Sequence, residues 1–122
     1  YLLNELGILP AKQFVVDNTP EAFQEAIRQE FFHISEARSA EVYFISDGGA
    51  VQEEIRKDEH KKRALILGSG WERDLAKEIS ADLLIVSPPV FYRLTLNCGY
   101  AGYRGGLRAI EDIYDQVLNT YR

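Results

Sequence analysis

The sequence contains no methionine, a single cysteine (Cys98) and two histidines (His33 and His60) among 122 residues. One cysteine forms no internal disulfide, so the chain is expected in a reducing compartment, the cytoplasm. A zinc or iron–sulfur site takes three or four good ligands. Cys98, His33 and His60 are scattered singly, so the chain alone is expected to hold no metal and to complete no cluster site. Basic residues are outnumbered, 14 against 19 acidic, for a net charge of -5. That argues against non-specific nucleic-acid binding, which needs clustered Lys and Arg to displace counterions, and against an anionic membrane surface. No apolar run approaches the roughly 18 residues of a membrane span. Tyr1 to Pro10 lacks the basic start and cleavage site of a signal peptide. With no methionine even at its start, the chain is expected to be an excised piece of something longer.

What is present is ordinary globular material: 46% apolar and 27% charged residues. The length suits one domain over residues 1–122. Four short, nearly continuous apolar runs read as strands: Gln13–Val16, Val42–Ile45, Ala64–Leu67 and Leu83–Val86. Continuous rather than alternating character is the mark of strands covered on both faces, as in a parallel sheet. Helical patterns alternate with them. Thr19 and Pro20 read as a cap and first helical position, before a stripe of Ala22, Phe23, Ala26, Ile27, Phe31 and Ile34. Val51 and Ile55 give a thin stripe on a surface helix. Ser69 and Glu72 have capping-box spacing, followed by Leu75, Ala76 and Ile79. The last helix is expected to turn Leu107, Ile110, Ile113, Tyr114, Val117 and Leu118 inward. Tyr1–Leu6 reads as a helix end stopped by Gly7, with the strand that should precede it missing. Strand–helix–strand repetition gives an α/β layered domain. The charge run from Asp58 to Arg63 reads as a solvated helix end.

In open parallel sheets ligands sit beyond the carboxyl ends of the strands. The loop Gly68-Ser69-Gly70-Trp71 leaves such an end and opens a helix, where free N–H groups favour an anion. Self-satisfaction by Ser69 and Glu72 is the competing reading. Ser87 lies at the next strand end. Asp17 and Asp47 end strands too, where turn-forming and capping roles are commoner than acid–base work. The stretch from Leu96 to Leu118 holds Gly99, Gly102, Gly105 and Gly106 around Tyr100, Tyr103 and Arg104, with Arg93 upstream. Arginine clamps carboxylates and tyrosine offers a flat face with one hydroxyl, so this loop reads either as folded on its own domain or as an interdomain or subunit contact. Gly68, Ser69, Gly70, Trp71, Ser87, Arg93, Tyr100, Tyr103 and Arg104 are the rim and interface candidates. No catalytic residue is assigned.

Three stretches, "LGSGWERDLAKE", "ADLLIVSPPVFYR" and "GYRGGLRAIEDI", resemble the C-terminal domain of nitrogenase component 1 proteins. That group includes the molybdenum–iron protein α and β chains, a cofactor-assembly scaffold and protochlorophyllide reductase subunits. "LLNELGILPAKQFVVDNTPE" looks like the helix end and second strand of the same domain. The resemblance implies a Rossmann-like three-layer domain with a mostly parallel four-stranded sheet, its first strand missing, in the order second, first, third, fourth. It implies a longer three-domain subunit carrying iron–sulfur or molybdenum–iron clusters, with a sister subunit and an ATP-dependent iron protein as partners. The implied reaction is multi-electron reduction, such as nitrogen fixation, in which the isolated domain is inactive. The α chain's cofactor-binding histidine has no counterpart in Phe91–Cys98, so no metal ligand is carried over and the chain looks β-like. Two further readings are a free-standing α/β module with an anion site at Gly68–Gly70 and a receiver-like domain. The receiver is disfavoured because no acidic pair follows the first strand.

Overall fold

A computed structural model describes residues 2–8, 10–34, 41–58, 64–91, 94 and 99–120. Arg93, Cys98 and His60, and the charge run beyond Asp58, lie outside the described residues. The chain falls into two compact units, Tyr1–Lys57 and Asp58–Arg122. Helices and short parallel strands alternate throughout, giving the mixed, Rossmann-like α/β class that the continuous apolar runs predict.

In the first unit, helix α1 (Leu2–Glu5) ends where the alternation expects. Gly7 sits at φ +73°. Its N–H donates to Asn4 and that of Ile8 to Leu3, the paired bonds that close a helix through a left-handed residue. Strand β1 (Lys12–Val15) pairs in parallel with β2 (Glu41–Phe44), Phe14 opposite Tyr43. Those two rings stack with centroids 5.4 Å apart. Tyr43 Oη donates to Glu41 at 2.6 Å, and that bond, with partial burial, holds the phenol above its usual range. Helix α2 (Glu21–Ile34) starts one residue after Pro20. Its predicted stripe is only partly used: Ile27 and Phe31 are half-buried, whereas Ala22, Phe23, Ala26 and Ile34 are exposed. A two-stranded sheet is too narrow to cover a whole helix face. Helix α3 (Gly48–Arg56) is capped by Asp47, whose side chain accepts from Gly49 N–H, and it buries Val51.

In the second unit, β3 (Leu65–Gly68) pairs in parallel with β4 (Asp82–Ile85). All four strands lie within one residue of their predicted bounds. They form two parallel pairs among the described residues. A single 3-10 turn (Gly70–Glu72) leads into α4 (Arg73–Glu78), and both α4 and the final helix α5 (Gly102–Thr120) pack on β4. The core is Leu75, Ala76, Leu84 and Ile113. Here the expected inner face of α5 is corrected. Ile113 is buried, but Leu107, Tyr114 and Leu118 are exposed, while Gly105 and Asp112 are buried. The helix carries apolar residues around more than half its circumference, and only part of that arc meets the sheet. An aspartate on the true inner arc disguised it.

Candidate functional site

The carboxyl end of β3 is where the layered fold places its rim, and the loop there is closed by its own side chains. The Glu72 carboxylate accepts from Ser69 N–H and Ser69 Oγ, both at 2.7 Å. Ser69 Oγ in turn accepts from Trp71 N–H at 3.3 Å. Gly70 N–H donates to Pro89 O at 2.7 Å. The three N–H groups that would greet an anion are therefore occupied, and Glu72 already provides the negative charge that a helix start favours. This weighs against the free-standing anion-binding alternative: a second anion would meet a carboxylate and no open donors.

Gly70 is required by crowding. A Cβ there would lie 2.8 Å from Pro89 O and would strike the Phe91 ring. That close approach lets Phe91 lie across the loop and meet Trp71 edge-on, with centroids 5.8 Å apart and planes at 88°. Trp71 nonetheless stays 67% exposed. Ser87 joins the same rim through its N–H, 3.2 Å from Gly68 O. Gly68, Ser69, Gly70, Trp71 and Ser87 are thus assembled into one patch.

The glycine–tyrosine loop is organised by a residue that sequence reasoning missed. Asp112, buried on α5, accepts from Tyr100 Oη at 2.5 Å and faces Arg108 Nε at 3.1 Å. The cation folded back on the domain is therefore Arg108. Arg104 and Tyr103 stand in solvent, Tyr103 fully so. The signal available was the four-residue spacing of Arg108 and Asp112 within an apolar helix. Gly102 opens the helix at φ +70°. Gly105 leaves room for the Tyr100 backbone, whose Cα a Cβ would approach to 2.8 Å. In the first unit Asp17 accepts from Asn18 N–H at 2.8 Å. With Asp47 on α3, it has the turn and cap roles described for strand ends.

Among the described residues no three His, Cys, Asp or Glu side chains come together to hold a metal. No described helix is long and apolar enough to cross a membrane. What the second unit offers is recognition surface: an exposed indole on the β3 loop and, at the start of α5, an exposed phenol and an exposed guanidinium.

An α/β chain with parallel strand pairs and self-capped rim loops defines a class of layered domains rather than a chemistry. The family model of the nitrogenase component 1 type oxidoreductases matches residues 1–118, and the chain belongs to that family. No curated protein and no solved structure matches it.

Proposed function

We propose that this chain is the C-terminal domain of a nitrogenase component 1 type iron–sulfur oxidoreductase subunit, where it frames cluster and subunit interfaces without ligating metal itself. The reading rests on one observation beyond family membership. The rim holds its loops rigidly with internal bonds yet leaves large recognition residues, Trp71 above all, uncovered. A loop fixed at this detail with its indole in water is pre-organised for a neighbour. In this role Glu72 and Ser69 fix the β3 loop, Phe91 orients Trp71, and Asp112 anchors Tyr100. Iron–sulfur or molybdenum–iron clusters, held by other parts of a longer subunit, would supply the electron-transfer chemistry. A sister subunit and an ATP-dependent iron protein complete the cytoplasmic assembly in this proposal, with nitrogen fixation or a related multi-electron reduction as the reaction.

The test uses the full-length protein, purified without oxygen together with its sister subunit. Iron analysis and an electron-spin spectrum are expected to show cluster iron. Trp71→Glu is expected to lower subunit association about tenfold or more, the range of a central aromatic anchor, with this chain's fold intact by circular dichroism. A full-length protein without iron overturns the proposal, as does wild-type association of the Trp71→Glu variant.

A further inference from the structure

We draw no further inference here: the strongest candidate, the exposed apolar arc of α2 formed by Ala22, Phe23, Ala26 and Ile34, carries none because nothing in the structure shows what covers it.

Discussion

The two parallel strand pairs are alike in length and direction but are held together by different means. β3 and β4 close over aliphatic side chains, with Leu75 only 1% exposed and Leu84 and Ile113 beside it. β1 and β2 bury no residue fully. They rely on the Phe14–Tyr43 stack, the Arg28 guanidinium 4.9 Å from the Phe44 ring centroid, and the Lys12–Glu54 pair. Val51 is the one buried hydrophobic residue described in that unit. Equal backbone pairing therefore does not imply equal stability. Dispersion and apolar burial scale with the covered area, whereas stacked rings and partly wet ion pairs contribute about 1 kcal/mol or less each.

The largest break in this comparison comes from emptying each core. Leu75→Ala is expected to cost about 3–4 kcal/mol, because tight surroundings leave a cavity that collapses poorly. Val51→Ala is expected to cost about half that, since it removes fewer methyl groups from a looser site. Amide hydrogen exchange, which reads local opening separately for each unit, should lose protection in β3 and β4 for the first change and mainly in α3 for the second. Equal losses in both units would mean that they unfold together. A more local effect, below that of Leu75→Ala, is expected at Asp112. Replacing it with Ala removes the acceptor of Tyr100 Oη and the carboxylate facing Arg108 Nε, and should cost about 1–3 kcal/mol. The loss should appear as faster exchange at the start of α5 and in the residues around Tyr100, not in β1 or β2.

The same contrast explains what could be read in advance. Strand positions followed from continuous apolar runs, and the Ser69–Glu72 box and the Gly7 stop followed from local chemistry that needs no partner. The inner face of α5 was not legible. Two apolar stripes overlap on one helix, and only the sheet decides which is covered. Asp112 escaped because an aspartate on a buried arc makes sense only once Tyr100 and Arg108 converge on it. Ser80, at φ +55°, ends α4 where glycine is usual, so composition gave no sign of that turn. Of the rim, Gly70 and Trp71 were recognisable as a helix entrance, but the covering Phe91 and the Pro89 carbonyl arrive from a distant loop.

The smallest expected effect separates the polar contributions within the weaker unit. Glu54 accepts from Lys57 Nζ at 2.9 Å and from Lys12 Nζ at 3.3 Å. The Lys57 bond, and then the Lys12 bond, hold its carboxyl below the usual range. A depressed folded value means that the contribution is complete above the unfolded value and disappears as pH falls through the folded one. Glu54→Gln should therefore lower the melting temperature slightly near pH 7, by less than any of the three changes above, and the gap from wild type should close on acidification below the ordinary carboxylate range. Salt should divide the two partners. The Lys57 side chain is 68% exposed against 13% for Lys12. In 1 M salt, where screening acts over about 3 Å, Lys57→Ala should become nearly neutral while Lys12→Ala keeps most of its effect. The Lys12 change also removes the ammonium that sits 5.4 Å from the Tyr43 ring centroid and 3.2 Å from Glu54 O. Should both substitutions fade alike in salt, the first unit would be held by its rings and the buried Val51, and the division between an aliphatic half and a polar half would reduce to a difference in core size.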